Sequence, residues 1–138
     1  MGKQEILQHV RQAIADSCGI PEERIEPSAT LFQDLGVTSI DLVDILFTLE
    51  SAFGVELKIS DIESRSRAEM QDVPFEVNGV ITPEGRDVLR RSLPELPPEK
   101  LVEGMTMFDI VNLITVDIVC TMIQYKLAED EKLVEHGD

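Results

Sequence analysis

The chain has 138 residues and a formal net charge of -15, from 27 Asp and Glu against 12 Lys and Arg. That excess repels nucleic acid phosphates and anionic lipid surfaces and favours partners with basic faces. Apolar residues make up 43% of the chain but aromatics only 4%, with no tryptophan, so a single domain, with or without an insertion, must be packed mainly with Leu, Ile, Val and Met.

No basic stretch leading into an apolar one opens the chain, and no run approaches the roughly 18 apolar residues that span a bilayer. A cytoplasmic protein without membrane insertion is expected. Cys18 and Cys120 both fall in predicted helices, without metal-ligand spacing to each other or to His9 or His136. Reduced, partly buried thiols and no bound metal are the expectation.

In chain order, Ile6, Val10 and Ile14 recur at helical spacing and Gly19 supplies a stop, so a first helix is predicted from about Lys3 to Cys18. The connection Ile20 to Thr38 is punctuated by Pro21, Pro27 and Gly36, yet it carries Ile25, Leu31, Phe32 and Leu35. A loop packed onto the core is expected. Thr38 and Asp41 then stand at the spacing of a capping box ahead of an apolar run, which predicts a second helix from about Ser39 to Phe53.

On that helix Leu42, Leu46, Leu49 and Phe53 form one face and Ile40, Val43 and Phe47 a second stripe nearly opposite. Asp41, Asp44 and Glu50 edge the second stripe. An apolar strip within an acidic rim reads as a protein-docking surface; ordinary core, covered by a later part of the chain, is the alternative.

Beyond Gly54, the run VELKISDIE alternates briefly, Ser64 to Asp72 is polar, and Asn78-Gly79 marks a tight turn or small hairpin. Thr82 followed by Pro83 predicts a helix through Val88, Leu89 and Leu93 that ends at Pro94. Pro97 and Pro98 lead into a short helical turn near Lys100 to Val102. From Thr106 a short helix, a break near Ile114 and a last helix to about Ala128 are predicted, with one continuous helix as the alternative. The segment 129–138 reads as a frayed acidic tail. No internal repeat or low-complexity tract stands out.

Ser39 opens the second helix behind Gly36. A serine in that place can simply cap free backbone N-H groups. The place also suits a phosphodiester, because a helix N-terminus offers unpaired donors and partial positive charge, and Thr38 can do the capping instead. No other nucleophile has motif support: Ser17 with His9 and Ser92 with His136 lack the context of an activated hydroxyl. Thr115 and Asp117 read as a helix start, and the acidic tail lacks the spaced ligands of a calcium loop.

The run Phe32, Gln33, Asp34, Leu35, Gly36, Val37, Thr38, Ser39, Ile40, Asp41, with Glu50 and Phe53 downstream, resembles the acyl carrier protein family. The resemblance covers Gln4 to about Ile62, and Thr115 to Leu127 looks like the family's last helix; the middle of the chain does not match. It implies an all-α, acyl-carrier-protein-like four-helix bundle with a mainly helical insertion. As a single carrier domain, that gives a core of 3–62 and 114–128 and an insertion of about 63–113.

The resemblance further implies a non-catalytic, monomeric bacterial carrier. Ser39 would be its phosphopantetheine attachment site, loaded from coenzyme A by a phosphopantetheinyl transferase (holo-carrier synthase) with magnesium. Acyl intermediates would ride on that arm as thioesters. Asp34, Asp41, Asp44 and Glu50 would face basic patches on acyl synthases, ketosynthases and acyltransferases, with Ile40, Val43 and Phe47 as the apolar docking stripe. Fatty-acid, polyketide or envelope-lipid (such as lipid A) biosynthesis is the implied setting.

Two features depart from the family pattern. Thr38 stands where such carriers usually have aspartate. The insertion is also unusual, and it holds Arg65, Arg67, Arg86, Arg90, Arg91 and Lys100. Arg86 and Arg90 share one predicted helical face, either salt-bridged locally or answering the acidic rim or an anionic partner. Enlarged carriers of this kind resemble those dedicated to unusual acyl chains. Two rivals stand beside this reading: an aminoacyl or peptidyl carrier, and an unmodified helical adaptor in which Ser39 is only a cap.

Overall fold

The computed structural model describes residues 2–58, 60–70 and 73–136. The ends of the expected polar stretch, at Gln71 and Asp72, and of the expected tail, at Gly137 and Asp138, lie outside them. The described residues form α1 (Lys3–Cys18), α2 (Ser39–Phe53), α3 (Ser60–Met70), a hairpin of β1 (Glu76–Val77) and β2 (Val80–Ile81), α4 (Pro83–Ser92), α5 (Met107–Leu113) and α6 (Val116–His136). Single 3₁₀ turns stand at Glu22–Arg24 and Pro98–Lys100. The fold is all-α apart from that hairpin, as an acyl-carrier-like bundle requires.

The chain divides into two compact units, one of residues 1–58 with 115–138 and one of residues 59–114. In the first unit α1 packs against both α2 and α6. Ile6, Val10 and Ile14 are fully buried, one turn apart along α1, and Gly19 ends that helix at a φ of 68°, a left-handed conformation that glycine adopts without strain. Val116, Ile118, Val119, Cys120 and Ile123 of α6 are buried in the core.

The long connection between α1 and α2 is held to the core as expected. Ile25, Leu31 and Val37 are buried, Val37 N-H donates to Leu31 C=O at 2.9 Å, and the N-H groups of Val116 and Asp117 donate to Ala29 and Pro27 C=O. Thr30 and Thr115 form an isolated β-bridge. These bonds satisfy backbone groups that a packed loop would otherwise bury unpaired. Lys3 and Asp117 add an ion pair at 2.8 Å between the start of α1 and the start of α6.

The second unit is built around Thr82. Its hydroxyl accepts from Gly85 N-H at 3.0 Å, capping α4, and donates to Pro74 C=O at 2.8 Å; its N-H donates to Phe75 C=O. The hairpin turn puts Asn78 at φ 54° and Gly79 at φ 83°, the all-positive pair of a type I′ turn, whose twist matches that of the strands. α3 packs against α4, and Phe75, Ile81, Leu89, Leu96 and Ile110 are among the unit's most buried side chains.

The structure corrects two sequence expectations and adds one element. The polar run from Ser64 belongs to a helix, α3, in which Ser66 and Met70, four residues apart, are buried; a polar and an apolar residue on one edge give no apolar periodicity to read. The core edge of α2 is centred on Ile45 and Leu49, both buried, with Leu42, Leu46 and Phe53 half-buried beside them. The expected face is thus rotated so that Ile45 belongs to the core. The break near Ile114 is real, since α5 ends at Leu113 and α6 begins at Val116 with Thr115 Oγ1 accepting from Ile118 N-H. α6 then runs past the expected end at Ala128 to His136.

Candidate functional site

The head of α2 is assembled from four consecutive residues with different tasks. Gly36 turns the chain at φ 67°, a conformation that costs a residue with Cβ but not glycine. Val37 is buried and anchors the loop. Thr38 is the N-cap: its Oγ1 accepts from Asp41 N-H at 3.1 Å, while Asp41 Oδ2 accepts from Thr38 N-H at 3.1 Å. Both halves of the capping box are present.

Ser39 follows as the first helical residue and is exposed. Its hydroxyl takes no part in the cap. Asp41 N-H is bonded to Thr38 Oγ1 and Leu42 N-H to Thr38 C=O at 2.9 Å, so the first-turn donors that helix geometry leaves without an intrahelical acceptor are those of Ser39 and Ile40. They suit an anionic oxygen attached to Ser39 itself, where the helix terminus adds partial positive charge. The residues present therefore fit a phosphodiester-linked group.

Thr38 in place of an aspartate thus has a local consequence. A hydroxyl accepts the N3 N-H without adding a second negative charge to that of Asp41 beside Ser39. The Asp41 carboxyl is held below its ordinary range, first by the hydrogen bond from the Thr38 backbone, then by Thr38 and Cys18 side-chain contacts. Cys18 shows the converse: burial, then the Asp41 charge and the hydrogen bond to it, push its thiol up. Cys18 therefore stays protonated and is a poor nucleophile.

The acidic rim is tied into the fold at each position. Asp34 Oδ2 accepts from Thr30 N-H at 2.8 Å and Asp34 N-H donates to Thr30 Oγ1 at 3.0 Å. Ser17 Oγ donates to Asp44 Oδ2, and Glu50 Oε2 accepts from Leu57 N-H at 2.9 Å. Each carboxylate has further acceptor capacity, and its position is fixed rather than swept through solvent.

Ile40, Val43 and Phe47 are 82%, 69% and 67% exposed. The stripe is surface, not core. Among the basic residues of the second unit, Arg90 pairs with Asp87 at 2.8 Å and Arg67 with Glu76 at 3.5 Å. Among the described residues no group of His, Cys, Asp or Glu is clustered to hold a metal ion, and no helix is long and apolar enough to cross a membrane.

Comparison with known proteins finds relatives over the part of the chain that contains α2. The family model described as "Phosphopantetheine attachment site" matches residues 8–70. The acyl carrier protein of Rubrobacter xylanophilus is 36% identical over 69 residues, 50% of this chain and 85% of that protein. That of Thermosynechococcus vestitus is 35% identical over 59% of this chain and 98% of its own length, and that of Thermotoga maritima 38% identical over 46% and 79%. No solved structure matches. Carriers of this family hold phosphopantetheine covalently and present acyl groups to other enzymes' active sites. An exposed serine at a capped helix head, within a matched attachment domain and at this level of identity to whole carriers, places the chain in the acyl carrier protein family.

Proposed function

We propose that Ser39 is the phosphopantetheine attachment site and that the chain is a non-catalytic, cytoplasmic carrier, loaded by a phosphopantetheinyl transferase and read by acyl synthases and acyltransferases with basic faces. The observation that carries this reading is the division of labour at the α2 head. Thr38 and Asp41 satisfy the cap between them, which leaves the exposed Ser39 hydroxyl with no structural duty. A phosphodiester there is held by the chain's own donors on Ser39 and Ile40, and the attached arm supplies the thiol that forms the thioester.

Docking falls to Ile40, Val43 and Phe47, flanked by Asp34, Asp41, Asp44 and Glu50. Full burial of such a side chain against a partner returns about 1.5–3 kcal/mol, and fixed carboxylates steer a basic face onto the strip. The pathway we assign is lipid biosynthesis of the fatty-acid, polyketide or envelope-lipid type. The second unit is the element that restricts partner or acyl-chain choice, since the family match ends at Met70 and the rest of that unit has no counterpart in it.

Incubation with coenzyme A, magnesium and a broad-specificity phosphopantetheinyl transferase, followed by intact mass measurement, tests the site. One phosphopantetheinyl group should be gained and Ser39→Ala should abolish the gain. An unshifted mass under conditions that load a control carrier returns the protein to the helical-adaptor reading.

A further inference from the structure

The α2 head has a counterpart in the second unit. The run Gly36, Val37, Thr38, Ser39, Ile40, Asp41 recurs as Gly104, Met105, Thr106, Met107, Phe108, Asp109, a short repeat hidden by its hydrophobic substitutions. The geometry repeats as well. Gly104 has φ 91° where Gly36 has 67°, and Met105 is buried where Val37 is. Thr106 caps α5 through a second complete capping box, with Thr106 N-H to Asp109 Oδ2 at 2.9 Å and Asp109 N-H to Thr106 Oγ1 at 3.4 Å. Phe108, in the place of Ile40, is 74% exposed.

One position differs in kind. Met107 replaces Ser39, so this head has no hydroxyl to carry an arm. What it presents is side chains. Val80 is bridged to Thr106 and paired with Val77, and Ile81 N-H donates to Met105 C=O at 2.9 Å, so the hairpin and the α5 head form one surface. Val77, Val80 and Val102 on it are exposed. Glu99 and Glu103 are exposed acids nearby in the chain, Asp109 is a fixed one, and Lys100 is the single opposing charge in that stretch.

We propose that the Phe108 surface is a second docking site, for the same kind of partner face that reads the α2 head: an apolar pocket beside basic side chains on a carrier-handling enzyme. The inference rests on the carrier reading above. The exposed Glu99 and Glu103 and the fixed Asp109 complement a basic face. A second copy of the chain, with a net charge of -15, is disfavoured by like-charge repulsion.

The test uses the full chain as Ser39→Ala, which cannot be loaded, as an inhibitor of a broad-specificity phosphopantetheinyl transferase acting on the Thermotoga maritima acyl carrier protein. Ile40→Ser is added to weaken the α2 head, and Phe108→Ser or Glu103→Lys to weaken the other. Residual inhibition by the Ser39→Ala, Ile40→Ser chain should fall about tenfold on adding Phe108→Ser, as for loss of an apolar anchor, and should fall with Glu103→Lys more strongly at low salt. Inhibition within about twofold across all these chains overturns the proposal, as does self-association that Phe108→Ser removes. Circular dichroism checks that each variant is folded; Glu103→Lys decides the outcome if Phe108→Ser is not. Loading of the Ser39-containing chain in the same assay separates the two claims: if it is not loaded the carrier reading fails, whereas loading without any effect of Phe108 removes only the second site.

Discussion

Thr38 and Asp41 exchange two hydrogen bonds of 3.1 Å across the first turn of α2, each residue capping the other's backbone N-H. Ser39, between them, is relieved of capping. The motif therefore separates the residue that stabilises the helix from the residue that can carry chemistry.

That separation predicts opposite phenotypes at adjacent positions. Thr38→Ala should cost about 0.5–2 kcal/mol, as loss of an N-cap does, while leaving Ser39 able to gain phosphopantetheine. Ser39→Ala should abolish the mass gain and change stability by no more than about 0.5 kcal/mol, as for an exposed site. Urea unfolding and intact mass on the same preparations measure both.

The Thr38–Asp41 cap, with Cys18 beside it, sets a pH dependence. Because the folded-state pKa of Asp41 is depressed, its contribution is present above the ordinary carboxylate range and is lost as pH falls through the folded value. Protection of the Asp41 and Thr38 amides should decline there, and Asp41→Asn should remove that titration. The same substitution takes away the charge that helps hold the Cys18 thiol up, so iodoacetamide should alkylate Cys18 faster in Asp41→Asn at mildly alkaline pH. Burial remains, so the rate should stay below that of an unfolded control.

Gly85 is the tightest point of the second unit. A Cβ placed there meets Phe75 C=O at 2.6 Å and Ile81 Cγ2 at 2.9 Å, where α4 lies against the hairpin. Gly85→Ala should destabilise this unit by about 1–3 kcal/mol through overpacking, against the small gain alanine brings to a helix interior. Hydrogen exchange should show the loss in α4 and the hairpin. Equal or greater protection there would contradict the close approach.

On α2, Ile45 and Phe47 should behave as core and surface. Ile45→Ala removes a buried side chain and should cost about 2–5 kcal/mol. Phe47→Ser removes an exposed one and should alter stability by less than about 0.5 kcal/mol while raising KM for acyl transfer from the loaded carrier. Thermal unfolding and transfer kinetics measured together distinguish the two roles.

The sequence alone determined the parts governed by local rules. α1 and α2 have the expected bounds because capping residues, left-handed glycines and apolar spacing act within a few residues of where they are written. Thr82-Pro83 and Asn78-Gly79 fixed α4 and the hairpin turn for the same reason, and the Ser39 motif carried the family resemblance. Tertiary structure decided what depends on distant neighbours. It rotated the core edge of α2 to Ile45, made a helix of the polar run from Ser64, and left Ile40, Val43 and Phe47 at the surface. It also tied each rim carboxylate to a particular donor, in one case across a long sequence separation, from Ser17 to Asp44. Burial and long-range hydrogen bonds are properties of what the fold brings alongside a residue, and periodicity along one segment does not contain them.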